Sequence, residues 1–328
     1  MTDTMRAWQV TKLGEPIDAL ELVDLEVPTP GPGEVLIKVS AVAANFPDVL
    51  LARGEYQVKP DLPFIPGVEL SGVVAALGAD VTDIVVGERV VASKIGVLAE
   101  YAVVGANDVH TAPESLDDVA ASGLIIAYQT AWFALHRRAQ VRAGEWVLVQ
   151  AAAGGVGSAS VQLAVAAGAH VIGVVGTEAK AQVVRDAGAE HVLIRGVDDI
   201  PARVKEITGR HGADVVIDPV GGSAFDASTR CIAFEGRIIV IGFASGDIPT
   251  LKVNHTLVKN FAVLGLYWGL YAQVRPDLVR AAHQELVRLA DEGIITPVVD
   301  HVVPFERAPE AIQSLAGGAT TGRVVIAL

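Results

Sequence analysis

Between the uncharged stretch EWVLVQA and the small-residue stretch VGSASVQLAVAA lies the run Ala152-Ala153-Gly154-Gly155-Val156-Gly157. Residues of these types at this spacing suit the pyrophosphate of a dinucleotide. Gly154 lets the backbone approach the phosphates, Gly157 lets a helix lie against a strand, and the helix N-terminus presents amide hydrogens and the positive end of its dipole. The run is the G-x-G-x-x-G fingerprint with alanine at its first glycine, which the turn accepts if Ala152 keeps a negative φ. About 20 residues further on, an NAD site carries Asp or Glu for the ribose 2′-hydroxyl. Here the chain has Gly176 and Thr177, with Lys180 soon after and Arg195 at the end of the next apolar run. Glycine leaves room, a hydroxyl can donate, and two cations can meet a 2′-phosphate. The expected cofactor is therefore NADPH.

These residues need a rigid frame, and the surrounding pattern predicts one. From Trp146 to Thr177 there is no Asp, Glu, Lys or Arg. A membrane span needs about 20 apolar residues, but Gly154, Gly155, Gly157, Gly168, Gly173 and Gly176 break this run. Gln150, Ser158, Ser160, Gln162 and His170 would also lack partners in lipid. The stretch reads instead as a buried strand, a turn, a helix ending at Gly168 and a second buried strand. From about 126 to 268 such units repeat: EWVLVQA, HVIGVV, EHVLI, ADVVIDPV and RIIVIGF alternate with helical stretches that include EAKAQVVRDA and FDASTRCIAF. That alternation predicts an α/β, doubly wound parallel sheet.

Residues 1 to about 125 carry short apolar runs bounded by turns, among them EVLIKVSAV, GVELSGVVAAL and ERVVAS, and predict a β-rich domain. The tail from 269 holds helices near Pro276–Asp291 and Pro309–Leu315 and a last strand, GRVVIAL, expected to complete that first domain. The expected division is thus 1–125 with 269–328, and 126–268.

Composition narrows the function classes. The 328 residues are 51% hydrophobic, enough for a large core, and the formal charge of −13 repels nucleic-acid backbones. The nearest basic cluster, His136-Arg137-Arg138, suits the end of a helix. Cys231 is the single cysteine, so no internal disulfide and no thiolate zinc site is expected. The eight histidines are scattered with no H-E-x-x-H pair, and MTDTMRAWQV has no basic region leading into an apolar run. A cytoplasmic enzyme with no metal, no membrane anchor and no nucleic-acid partner is expected.

Further motifs add a family. NFPDVLLARGEY supplies Asn45, Phe46, Asp48, Arg53, Gly54 and Tyr56 in the pattern N-F-x-D-(x)4-R-G-x-Y, followed by PFIPGVELSGVV, IVVGERVVA, YQTAW, the loop IGFASG and the expected strand VLGLYWG. Together they resemble the zinc-independent, zeta-crystallin-like quinone oxidoreductases of the medium-chain dehydrogenase/reductase superfamily, over essentially the whole chain. The resemblance implies a β-rich GroES-like catalytic domain beside a Rossmann domain, with NADPH across a cleft between them. It also implies a homodimer, for which the edge strand around Val263 to Leu266 is the candidate contact. Zinc dehydrogenases of this superfamily carry Cys and His where this chain has Asn45 and Val68, the latter in Pro66-Gly67-Val68-Glu69.

The roles implied by the resemblance are as follows. Gly154, Gly155, Val156 and Gly157 face the pyrophosphate; Gly176, Thr177, Lys180 and Arg195 face the adenosine end; Phe243 and Tyr267 face the nicotinamide half. Asn45 bonds near the nicotinamide ribose and Thr130 lies by the nicotinamide. Arg323 stands where the family often has a lysine, and a phosphate contact is expected of it. Tyr56 lines the substrate pocket as proton donor or orienter, and Phe46 and Trp268 give flat apolar walls for a planar acceptor. Without zinc to stabilise an alkoxide, hydride goes to an acceptor such as a quinone, whose anion is delocalised, and positioning supplies most of the rate. Activated alkenes, including enoyl thioesters, are the alternative substrates, and a nonenzymatic nucleotide- or RNA-binding role is the alternative of another class.

Overall fold

The computed structural model describes residues 4–318 and 320–328. In chain order its strands are β1 (Thr4–Val10), β2 (Leu20–Glu26), β3 (Glu34–Ala44), β4 (Leu70–Leu77), β5 (Arg89–Ala92), β6 (Tyr101–Gly105), β7 (Val109–Thr111), β8 (Trp146–Val149), β9 (His170–Val175), β10 (His191–Ile194), β11 (Ala213–Asp218), β12 (Ile232–Val240), β13 (Ala262–Gly265), β14 (Val299–Pro304) and β15 (Arg323–Ala327). The chain forms two compact units, Met1–Ile126 with Pro276–Leu328, and Ala127–Arg275.

The first unit is built around β3, which is buried along almost its whole length because β4, β6 and β15 all pair with it. The seven-stranded sheet runs β14-β15-β3-β4-β5-β7, with β6 also on β3. Ile37, Leu70, Leu98, Val104, Phe305 and Ile326 fill its core. A Cβ on Gly72 would lie 2.3 Å from the Lys38 carbonyl oxygen, so glycine lets β4 close on β3 there. Antiparallel register pairs Ala44 with Val324 and Val42 with Leu70. One residue beyond each pair, Arg323 comes beside Asn45 and Glu69 beside Ala43.

The second unit is a parallel sheet in the order β10-β9-β8-β11-β12-β13. Near-continuous Val, Ile and Leu runs form these strands because both faces are covered. From β8 the chain winds outward through β9 and β10, then returns to β11 and winds the other way. The order reverses between β8 and β11, where open α/β sheets bind ligands at the carboxyl ends of the strands.

Two segments differ from the sequence pattern. The helix in FDASTRCIAF stops at Cys231, and Ile232 already begins β12, which stays continuous through a left-handed Glu235 at φ 57°. VLGLYWG is a strand only to Gly265, since Trp268–Val274 is a helix. Among the described residues, no helix is long and apolar enough to cross a membrane.

Candidate active site

At the end of β8, the Gln150 amide donates to the Ile217 carbonyl at 3.0 Å and the Ala152 amide to Val174 at 2.9 Å, which fixes the turn against its neighbours. The left-handed residue is Ala151, at φ 50°, while Ala152 keeps a negative φ. Gly154 and Gly157 then differ in why they are glycine. A Cβ on Gly157 would lie 2.1 Å from the Ala151 carbonyl oxygen, so the turn itself requires glycine there. Gly154 caps the helix Gly155–Ala166 at φ −82°, and its Cβ would meet only that oxygen, at 3.4 Å. The protein does not need glycine at Gly154, which leaves open space above a helix N-terminus that no side chain caps. Room plus unmet amides is the cradle a pyrophosphate requires.

The adenosine end has the same openness. Gly176 has no atom within 4 Å of a built Cβ, and the exposed Thr177 starts the helix Glu178–Asp186 without a side-chain capping bond. The Arg195 amide donates to the Val175 carbonyl at 2.8 Å, which brings exposed Arg195 to the carboxyl end of β9 beside Gly176. Lys180 is half-buried in the first turn of the following helix.

Asp218 ends β11 and was not singled out by its sequence context. It is fully buried, and its Oδ1 accepts from the amides of Val220 at 2.9 Å and Gly221 at 3.0 Å. This holds the turn in which Gly221 and Gly222 take φ 71° and 49°. Burial raises its carboxyl above the usual range, against the two amides and the charge of Arg195. A Cβ on Gly221 would lie 2.9 Å from the Phe243 ring, so that ring packs on the turn while remaining 38% exposed. Tyr267 is 41% exposed at the start of the Trp268–Val274 helix. Trp268 donates from Nε1 to Gln129 Oε1 at 3.3 Å, next in sequence to the buried Thr130.

In the first unit the polar residues form a closed cluster. Asn45 Nδ2 donates to the Ala43 carbonyl at 2.9 Å and to Glu69 Oε1 at 2.8 Å, and its Oδ1 accepts from Arg323 Nη1 at 2.9 Å. Arg323 Nη2 pairs with Glu69 Oε1. Glu69 Oε2 accepts from the Ile126 amide at 2.8 Å. Asp48 takes the Asn45 amide at 2.8 Å and the Gly67 amide at 3.1 Å, tying the start of the helix Phe46–Arg53 to the loop before β4. Burial pushes Asp48 up to about 7, helped by the nearby Glu69 charge. It raises Glu69 as well, while Arg323, Asn45 and the amides of Ile126 and Ile125 oppose the shift.

Two residues expected at the cofactor lie in this cluster. Arg323 is only 6% exposed and its guanidinium is committed to Glu69 and Asn45, so it is not placed to take a cofactor phosphate. Asn45 uses both amide hydrogens internally, so a bond to a nicotinamide ribose would be one accepted at Oδ1, beside that from Arg323. Nor does the cluster suit a metal, because the Arg323 cation already faces Asn45 and Glu69. Phe46 begins the Phe46–Arg53 helix, half-buried, and Tyr56 follows its left-handed cap Gly54 at φ 71°, also half-buried. Arg53 pairs with Glu15 through two bonds, at 2.9 and 2.8 Å, at the end of the same helix.

Two family models match the chain, an alcohol dehydrogenase GroES-like domain over residues 31–114 and a zinc-binding dehydrogenase over residues 155–284. The chain is 38% identical over 325 residues to a quinone oxidoreductase-like protein 2 homolog of Nematostella vectensis, covering 98% of this chain and 88% of that protein. Its fold is similar to a probable oxidoreductase from Mycobacterium abscessus, with a TM-score of 0.90 and 37% identity over 99% of each chain. It is also similar to the Escherichia coli quinone oxidoreductase complexed with NADPH, with a TM-score of 0.91 and 29% identity over 98% of this chain and 100% of that one.

Proposed function

Because this chain belongs to the zinc-independent quinone oxidoreductases of the medium-chain dehydrogenase/reductase superfamily, we propose that it is an NADPH-dependent oxidoreductase that reduces a quinone. The observation that carries this reading is the open glycine cradle of Gly154 over an uncapped helix, continued by the roomy Gly176 and by Arg195. NADPH, when bound, supplies the hydride. The chain's residues bind, orient and protonate.

In this reading the unit Ala127–Arg275 binds the nucleotide. Gly154, Gly155, Val156 and Gly157 hold the pyrophosphate through backbone amides. Gly176 leaves room for the 2′-phosphate, and Thr177, Lys180 and Arg195 recognise it. Phe243, Tyr267 and Thr130 line the nicotinamide side. Phe46 and Trp268 offer flat apolar faces to the acceptor, and the Tyr56 hydroxyl donates a hydrogen bond to an acceptor oxygen as charge develops there. Asn45 acts on the chemistry only through the helix it caps, with Asp48. The exposed edge of β13 pairs with a second copy across a two-fold axis, and the single buried thiol of Cys231 suits a reducing cytoplasm.

A fluorescence titration with NADPH and NADH, followed by quinones and an enoyl-CoA in the same cuvette, tests the reading. Tighter NADPH binding with catalytic oxidation by a quinone is the expected result. Equal or tighter NADH binding refutes the 2′-phosphate assignment, and no binding of either cofactor refutes the enzyme. Turnover with only the enoyl-CoA moves the acceptor to activated alkenes.

A further inference from the structure

The chain that follows β13 is held by an unusual helix. Its turns at Ile125–Gln129 and Phe133–Ala139 are π-helical, a rare geometry that occurs frequently at functional sites. Three of its side chains, spaced about one turn apart, reach the segment between Gly265 and Tyr271. Arg138 Nε donates to the Gly265 carbonyl at 3.1 Å, the Phe133 and Tyr271 ring centroids are 4.5 Å apart, and Gln129 Oε1 accepts from Trp268 Nε1 at 3.3 Å. The helix Trp268–Val274 needs such anchors, because none of its residues is buried and Leu270 and Val274 face solvent. Of the three contacts, the one from Gln129 meets a residue that the reading above gives to the acceptor wall.

Gln129 is fully buried. An indole N–H only donates, so the amide atom facing Trp268 is Oε1, and the two hydrogens of Nε2 point elsewhere. Among the described residues no group meets that Nε2. A buried donor without an acceptor destabilises a fold, and an apolar side chain of the same shape fills the space without that loss. Fold stability therefore does not account for an amide at this position. What the amide supplies, and an apolar residue does not, is one acceptor for one indole. Trp268 is half-buried, so water satisfies Nε1 equally well if the ring turns outward. The bond to Gln129 selects the inward orientation. Gln129 also precedes the buried Thr130, which the same reading sets beside the nicotinamide.

We infer that Gln129 is a positioning residue, which fixes the orientation of the Trp268 indole and through it the affinity for a flat acceptor. The inference rests on the reading of Trp268 as an acceptor wall. Gln129 itself touches neither cofactor nor acceptor; it acts by holding a planar surface in the pose against which a planar ring stacks.

The test compares the full-length wild type with Gln129→Met, Trp268→Phe and the double variant in the steady-state oxidation of NADPH by menadione. Gln129→Met is expected to raise the menadione KM roughly fivefold with NADPH affinity unchanged. It should also shift the Trp268 indole N–H resonance, identified by its loss in Trp268→Phe, and leave the melting temperature the same or higher. Trp268→Phe is expected to raise KM at least as far, and adding Gln129→Met to it should change nothing more, because the amide acts through the indole. The proposal is overturned if Gln129→Met melts lower at an unchanged KM, or if the two single effects add in the double variant. Turnover by the wild type with an unmoved KM in Gln129→Met removes this proposal alone, whereas no turnover by the wild type removes the quinone reading and this proposal with it.

Discussion

The glycine turn of the second unit and the polar cluster of the first treat their polar groups in opposite ways. At the turn, the helix Gly155–Ala166 has no side-chain cap, and Gly154 and Gly176 leave space that no neighbour fills. In the cluster, Asn45, Asp48, Glu69 and Arg323 are at most 6% exposed and meet one another or backbone amides, with Arg323 Nε as the one side-chain atom left without a partner. Unmet donors beside open space are ready for an outside anion. Met donors and acceptors without space hold the chain in place. The contrast separates residues that touch a ligand from residues that position those that do, although both kinds carry polar or glycine signals in the sequence.

Removing one partner of the buried pair is the strongest challenge to that division. Arg323→Met leaves Glu69 charged and enclosed, and losses of this kind cost about 3–5 kcal/mol. The expected result is a large fall in the urea midpoint, with NADPH affinity per folded molecule unchanged. A selective loss of NADPH binding at unchanged stability would return Arg323 to the cofactor site.

Next in size is the comparison inside the turn itself. Gly157→Ala puts a methyl 2.1 Å from the Ala151 carbonyl oxygen and is expected to destabilise the fold by about 2–3 kcal/mol. Gly154→Ala meets nothing closer than 3.4 Å, so its stability change stays within about 1 kcal/mol while NADPH binding weakens. Equal effects of the two variants on melting would show that Gly154 also serves the fold.

How much of this was legible in the sequence depended on the distance over which the physics acts. The βα alternation and the glycine turn are local, set by side-chain period and by close approach within a few residues, and the residues from Trp146 to Val175 fold as the pattern indicates. The Arg323 to Glu69 pair joins positions 254 apart in the chain, and it exists because β15 and β4 both flank β3. No local signal carries that register, so Arg323 read as a free cation and Asn45 as a free amide. The helix beginning at Trp268 was hidden for a related reason: the apolar run AVLGLYWG continues unbroken while Leu266 follows β12 only as far as its amide bond to Val240. Asp218 looked like an ordinary strand end until the Gly221 and Gly222 turn folded over it.

Outside both regions, the stacked His110 and His283 give a pH signature of intermediate size. His110 is held at about 3 when folded, against an unfolded value near 6.5, so the unfolded chain binds the extra proton as pH falls below about 6.5. Stability from its neutral form is therefore present above that pH and lost on acidification, by about 2 kcal/mol at pH 5. Asp48 acts with the opposite sign, since a raised carboxyl favours the folded state as pH falls through about 7. The histidine contribution is accordingly read as the difference between wild type and His110→Gln, a difference that shrinks from pH 7 to pH 5. A pH-independent difference would mean that folding leaves the His110 pKa where it is in the unfolded chain, and a difference that grows on acidification would mean that the imidazole is charged in the fold.

The smallest effect tests whether the open region discriminates as well as binds. Arg195 is exposed at the carboxyl end of β10, with its amide on the Val175 carbonyl and its guanidinium near enough to act on the Asp218 carboxylate. Arg195→Gln keeps length and polarity but removes the charge. One charge-assisted contact is worth about 1–2 kcal/mol, so NADPH affinity is expected to fall roughly tenfold with NADH affinity and melting temperature unchanged. Removing the cation takes away only what a 2′-phosphate would have felt, because NADH has no group there to lose. If both cofactors weaken equally, Arg195 contacts something they share, and the burden of selecting NADPH passes to Thr177 and Lys180. If neither weakens, the guanidinium is a surface charge, and the openness around Gly176 is what admits the phosphate.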